Sequence, residues 1–290
     1  MNPLSSIRTI PFGNPTMIYH NKMKKFFINN QEVPEFDIQC WGEFGMKCTT
    51  SGSIIQFVID NLPENMALVC YGADYNFELP CSLVCSFDKI VQLNRYIGCK
   101  DSLVIPGDDR FFESPEFYLP TNPPSFDDRI NEVFWRGSCT GERRKDVVLA
   151  LNNIPSCNVK LVGGGSHESP YWKSMPFSCY SGRCAPHEYS NYKIWLSIEG
   201  WGCASDTSRA LMSGSAVIYF RKTKPWFDMF LRHEENCIII EDNIQELVHY
   251  ARKLLTDTEY TKRISIAGKE LANRIFEPAV YKQFILNQLQ

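Results

Sequence analysis

No apolar run in the 290 residues approaches the roughly 20 needed to cross a bilayer, so no membrane span is expected. The opening stretch MNPLSSIRTIPFGNPT has no apolar core of the kind a secretory signal carries, which points to the cytoplasm. Positive charge is not in excess. Thirty Lys and Arg against 33 Asp and Glu leave a net charge of −3, so no overall positive field exists to hold nucleic acid. The nucleophile elbow GxSxG, the zinc helix HExxH and the phosphate loop GxxxxGKS/T are all absent, and there are only five histidines. A hydrolase or a P-loop kinase therefore has little to stand on. At 44% hydrophobic and 22% charged residues the composition is that of an ordinary globular protein, not of a disordered chain, a collagen or a coiled coil.

Cysteine is present in number but without a pattern. There are twelve in the chain, a density well under that of a disulfide-built domain, and no CxxC pair among them. Cys70, Cys85 and Cys237 sit inside apolar runs and read as small hydrophobes. With no secretory signal, reduced thiols in the cytoplasm are expected. Cys179, Cys184 and His187 are close in sequence but lack the paired spacing of a zinc site, so no metal is expected.

The length suits two domains of roughly 100–200 residues each. The stretch SPEFYLPTNPPS, beginning at Ser114, holds four prolines and marks the boundary, at about residue 120. Before it, residues 17–36 suggest a hairpin or loops around a polar turn. Residues 53–61 have apolar positions at helical spacing, and 66–71, 83–86 and 103–105 read as short buried strands. After it, strands are expected at 132–135, 158–162, 193–198, 215–220 and 237–240. Helices are expected at 142–152 and 205–212, from a cap at Asp242 to residue 255, at 258–275, and over the last dozen residues. Such alternation implies an α/β fold with a parallel sheet and helices on both faces. Ligands of such sheets lie beyond the carboxyl ends of the strands. Attention therefore falls on the residues just after Tyr71, Trp135, Val162 and Ile198.

Two stretches there carry chemistry. In FWRGSCTGERRKD (134–146) a buried strand ends in an Arg-Gly-Ser turn and a helix begins within a few residues. Gly137 allows close backbone approach, Ser138 and Thr140 offer hydroxyls, and Arg136, Arg143 and Arg144 offer forked donors suited to a diphosphate. The unpaired N–H groups of a helix start add partial positive charge. In YKIWLSIEGWGCASDTSRALMSGSAVI (192–218) a strand leads through a loop of small residues into a second helix. Ser205 or Asp206 can cap that helix, Thr207 and Ser208 fall in its first turn, and Arg209 projects near it.

The WRGS-x-TGER block, then YK-strand-EGWG-x-AS-helix-SGSAVI, then KPW, resembles glycosyltransferase family 90, the group of Rumi-like protein O-glucosyltransferases and fungal capsule xylosyltransferases. Upstream, LPENMALVCYGADY (62–75) is similar to that family's apolar strand ending in an Arg-Asp-Tyr-Pro-like turn, and LVCSFDK (83–89) to the strand that comes next. The resemblance runs from about residue 16 to about 275. It implies a GT-B fold, two Rossmann-like domains facing across a cleft. An acceptor-side domain would span 1–120, with the helix at about 276–290 packing back on it, and a donor domain 121–275. It also implies inverting transfer from a UDP-sugar without an obligatory metal or other cofactor. By position, Asp74 matches the catalytic aspartate, and Arg136, Gly137, Ser138 and Arg143 match the donor-phosphate motif. Ser205, Asp206 and Thr207 stand where family members often place an arginine at the helix start. The next arginine here is Arg209, which either takes that role or leaves the diphosphate to Arg136 and Arg143. Ala73 and Asn76 replace the family's arginine and proline around Asp74.

Inverting transfer needs a carboxylate to take the acceptor's proton and positive charge to stabilise the leaving diphosphate. Asp74 and the arginines could fill those roles from the two halves. Asp108 and Asp109 are rival carboxylates or acceptor contacts, and Trp41 and Trp201 offer flat faces to a sugar ring. The resemblance implies UDP-xylose or UDP-glucose as donor. Compactness and the missing signal suggest a microbial or large-DNA-virus version, and by that analogy xylose and a glycan acceptor. The alternative from another class is a catalytically silent protein of the same fold that binds nucleotide sugars or glycans.

Overall fold

A computed structural model describes residues 16–22, 24–28, 31–33, 52–64, 66–71, 89–94, 103–106, 123–162, 175–200, 206–222 and 224–290. The chain divides into two compact units, Met1–Ser114 with Glu277–Gln290, and Pro115–Phe276.

The first unit holds strands β1 (Thr16–His20), β2 (Lys25–Ile28) and β3 (Gln31–Val33), helix α1 (Gly52–Asn61), and strands β4 (Met66–Tyr71), β5 (Lys89–Asn94) and β6 (Leu103–Pro106). Its sheet runs β3-β2-β1-β4-β5-β6. It is mixed, and its antiparallel part includes the hairpin suggested for residues 17–36. β1, β2 and β3 form an antiparallel meander, β1 lies antiparallel to β4, and only β4, β5 and β6 are parallel. The reason is local: a two-stranded hairpin needs only a short turn, whereas each parallel pair needs a crossover. Buried Asn21 ties that turn down, donating from Nδ2 to the carbonyls of Leu62 at 2.6 Å and Pro63 at 3.0 Å. The strand at 89–94 was not expected. KIVQLN alternates too weakly to stand out, and the strand expected at 83–86 lies outside the described residues.

The second unit holds β7 (Ile130–Gly137), α2 (Glu142–Leu151), β8 (Cys157–Val162), β9 (Tyr180–Ser181), β10 (Tyr192–Ile198), α3 (Thr207–Ser213), β11 (Ala216–Arg221), β12 (Ile238–Glu241), α4 (Ile244–Thr256) and α5 (Thr258–Ile275). Helix α6 (Pro278–Leu289) returns to the first unit, against α1 and β6. The sheet is parallel throughout, in the order β12-β11-β10-β7-β8-β9. The winding starts at β7, moves outward through β8 and β9, then restarts on the other side through β10, β11 and β12. That is the doubly wound Rossmann order, and its switch point lies between β7 and β10. Every residue of β11 is buried, as befits a strand covered on both faces. Helices α2 and α4 pack on each other and on β7, β8, β11 and β12, while α3 and α5 pack on each other and on β10 and β11. Among the described residues no helix is long and apolar enough to cross a membrane.

Among the described residues, Cys139, Cys157, Cys179 and Cys237 are buried in this unit and form no disulfide. Half-buried Cys184, also free, donates to Glu188 Oε2 at 3.3 Å, and its thiol is pushed up to about 12, first by burial and then by that carboxylate.

Candidate functional site

The carboxyl ends of β7, β10, β11 and β12 bring four loops to one edge of the second unit's sheet. Arg143, in the first turn of α2, links three of them. Its Nε and Nη2 grip both oxygens of Asp242 at 2.7 and 3.1 Å, and Nη1 reaches Glu199 Oε2 at 3.4 Å. Asp242 follows β12 in the left-handed region, φ 59°, which aims it back over the edge. The Arg143 guanidinium beside it, through hydrogen bonds and charge, holds its carboxyl below the usual carboxylate range. Asp242 was expected to cap the next helix. Asn243 does so instead, its Oδ1 accepting from the N–H groups of Gln245 and Glu246, which frees Asp242 for Arg143.

Glu199 stands directly after β10 and is almost wholly buried. Its charge is met by Arg143, by the Tyr219 hydroxyl at 3.2 Å and by the Lys222 backbone N–H at 2.7 Å. Arg144 lies deeper. Its Nη1 donates to the Ser138 carbonyl at 3.0 Å and its Nη2 to the Ile198 carbonyl at 2.9 Å, with the guanidinium 5.3 Å from the Trp135 ring centroid. Burial lowers its pKa, yet an arginine stays protonated. Gly200 is tightly held: a Cβ there would collide with Thr140 Oγ1 and come within 3.2 Å of the Arg144 guanidinium. At Gly137 a Cβ would fall on the Trp135 ring, so glycine alone lets that indole fold over the strand end. The start of α2 has Gly141 at its cap position with no side-chain cap.

The expected residues are thus partly gathered. Gly137, Ser138 and Arg143 stand at this edge. Arg136 does not join them. Strand alternation puts Arg136 on the face of Phe134, opposite Trp135 and Arg144. There its guanidinium lies 4.4 Å from the Phe134 ring centroid and donates to Asn158 O and Oδ1, both at 2.6 Å. Its backbone is engaged as well. The Tyr189 hydroxyl donates to the Arg136 carbonyl at 2.6 Å and accepts from its N–H at 3.1 Å. Asp206 does not cap α3 with its side chain; its Oδ1 accepts from Ser197 Oγ at 2.6 Å, and Ser197 Oγ lies 2.8 Å from Thr207 Oγ1. Thr207 is buried and Arg209 half-buried within α3. Asp74, Asp108, Asp109, Trp41, Trp201 and Ser205 lie outside the described residues. Glu199, Asp242 and the carbonyl-bound state of Arg144 were not foreseen. A lone Glu-Gly after the fourth strand of the unit was the available signal for Glu199.

No protein-family model matches the chain, and no curated protein matches it. The resemblance to glycosyltransferase family 90 therefore rests on the residue blocks alone. Solved structures do match. HepE of Anabaena in complex with UDP-glucose aligns with a TM-score of 0.51 at 17% identity, over 72% of this chain and 65% of that one. The same protein with UDP aligns with the same score at 16% identity. A glycosyltransferase from Rickettsia africae ESF-5 aligns with a TM-score of 0.50 at 14% identity, over 81% of this chain and 72% of that one. The chain spans just under two thirds of the length of HepE. At such identities the likeness is one of fold: α/β, of the GT-B type.

Proposed function

We propose that the chain is a glycosyltransferase that takes its sugar from a UDP-sugar. The observation that carries this is the arginine-bearing edge at the switch point of a Rossmann-ordered sheet, where Arg143 and the uncapped start of α2 can receive a diphosphate. The fold it shares with a UDP-glucose-bound protein supports the reading. In it, Arg143 exchanges its carboxylate partners for phosphate oxygens, Ser138 and the Gly137 backbone line the same turn, Thr207, Arg209 and Asp206 come from the start of α3, and Ser205 is a further donor contact. Arg136 contributes by bracing β7 against β8. Asp74 takes the proton of the acceptor hydroxyl as the sugar transfers with inversion, and no metal is required. Asp108, Asp109, Trp41 and Trp201 contact the acceptor, a glycan. The donor is UDP-xylose or UDP-glucose, and the domain division at about residue 120 separates acceptor and donor halves.

The second reading, a silent binder of nucleotide sugars or glycans, is favoured by Ala73 and Asn76 around Asp74 and by the lack of an arginine at Ser205–Thr207. One experiment separates them. The protein is incubated with UDP-xylose, UDP-glucose, UDP-galactose and GDP-sugars, and thermal stabilisation and nucleotide release are followed. A bound donor at 100 times its Kd stabilises by about 2.7 kcal/mol. Stabilisation by a UDP-sugar with slow UDP release supports the enzyme, stabilisation without release the binder, and neither rejects both.

A further inference from the structure

Arg144 differs from Arg143 in what it bonds. Arg143 holds two carboxylates, whereas the Arg144 side chain donates to two neutral carbonyls, Ser138 O after β7 and Ile198 O at the end of β10. Those two strands are neighbours at the switch point. Their pairing ends at Phe134 and Trp195, and beyond that pair the Tyr189 hydroxyl takes up the N–H and C=O of Arg136. Past the last paired residues the gap between the strand ends is bridged by the Arg144 guanidinium. The Trp135 ring centroid lies 5.3 Å from it, and a Cβ at Gly200 would come within 3.2 Å of it. Its Nε is buried without a hydrogen-bond partner among the described residues. A buried guanidinium bonded to carbonyls costs desolvation that a methionine would not. What it supplies is a rigid fork of fixed span between two loops, with positive charge beneath them.

We propose that Arg144 is a positioning residue of the donor site: by bridging the carbonyls of Ser138 and Ile198 it sets the separation of the turn after β7 and the end of β10 at the edge that receives the diphosphate. The proposal rests on the donor-site reading above, and it assigns the task to a residue that need not touch the ligand. Lysine at this position keeps the charge but presents a single nitrogen, which cannot span both carbonyls in the planar geometry of the fork.

The test is UDP binding by calorimetry to the full chain, below the lowest melting temperature of the set, with Arg144→Lys, Arg144→Met, Gly200→Ala, Arg143→Ala and Arg129→Lys. Arg129 is the control, a buried arginine at the opposite edge of the same sheet. It donates to the carbonyls of Pro124, Ser213 and Gly214, so its loss perturbs the fold without approaching the donor loops. The expected result is that both Arg144 variants weaken UDP by roughly tenfold or more, the scale of one misaligned charge-assisted contact. Arg129→Lys lowers the melting temperature and leaves the UDP Kd within about twofold. Folded Arg144 variants that bind UDP like the parent, while Arg143→Ala binds weakly, overturn the proposal alone. Unchanged binding by Arg143→Ala as well overturns the donor-site reading beneath it. If the Arg144 variants do not fold, Gly200→Ala decides: it keeps the fork but displaces Thr140 and Arg144, and parental UDP affinity there overturns the proposal.

Discussion

Arg143 shows how much of this site is decided by single side chains. One guanidinium carries the two oxygens of Asp242 and one of Glu199, carboxylates 99 and 56 residues away in the chain. The fork is aligned on the two oxygens of Asp242, a geometry that a phosphate also offers. Arg143→Ala is expected to weaken UDP-sugar binding, and unchanged donor affinity by calorimetry would remove its phosphate role. For Asp74 the expectation is the converse. Asp74→Asn should lower turnover at least about 10²-fold, the lower bound for a general base, while leaving UDP affinity almost unchanged; near-normal turnover sinks that assignment. A third residue-scale prediction concerns Glu234. Hydrogen bonds from Lys253, first, and from Tyr250 lower its carboxyl from 4.5 to about 2. A depressed folded-state pKa means the stabilisation is full above the unfolded value and is lost as pH falls towards about 2. The melting-temperature gap between the parent and Glu234→Gln should therefore be widest near neutrality and close through that acid range. A gap that stays constant with pH counts against it.

At the scale of elements, the helices were legible where capping chemistry and periodicity agree. Helix α5 runs over the 258–275 span read from the sequence, because Asp257 Oδ1 accepts from the Tyr260 N–H at its start. The start of α4 shows the limit: Asp242 and Asn243 are both good caps, and only the backbone path of β12 decides which one turns inward. Gly268 makes the same point within a helix. By propensity alone, Gly268→Ala in α5 should stabilise by about 1 kcal/mol. A Cβ there would stand 2.7 Å from the Asn236 carbonyl oxygen and 3.2 Å from Leu211 Cδ2. The first neighbour is backbone and cannot move aside, and overpacking of this kind costs about 1–3 kcal/mol. The clash outweighs the propensity, so urea unfolding of Gly268→Ala should show a lower midpoint. A higher midpoint would mean that the turn before β12 yields.

For the whole molecule, the chain's last crossing matters most. Helix α6 leaves the second unit and buries Tyr281, Ile285 and Leu289 in the first, where it meets α1 and β6. Ile285→Ala should cost about 2–4 kcal/mol of stability, as for other buried large-to-small changes. On the proposed donor site it should leave UDP affinity unchanged, since that site is built within the second unit. A loss of UDP binding in the folded variant would show that the two units are energetically coupled. The sequence by itself determined the strands of the second unit other than the two-residue β9, because each carries a cluster of apolar residues, continuous in the wholly buried β11, and so announces itself, along with the Gly and Arg residues that come after β7 and β10. The expectation that cysteines pack as small hydrophobes fits Cys139, Cys157, Cys179 and Cys237, which are buried and form no disulfide. Only the tertiary structure decided the order of those strands, the face on which Arg136 lies, the pairing of Arg143 with Asp242 and Glu199, and the bridge made by Arg144. The physical reason is range. Burial and capping act on a residue and its near neighbours and leave a local pattern, whereas an ion pair or a carbonyl bridge between distant loops exists only once the sheet has brought their ends to one edge.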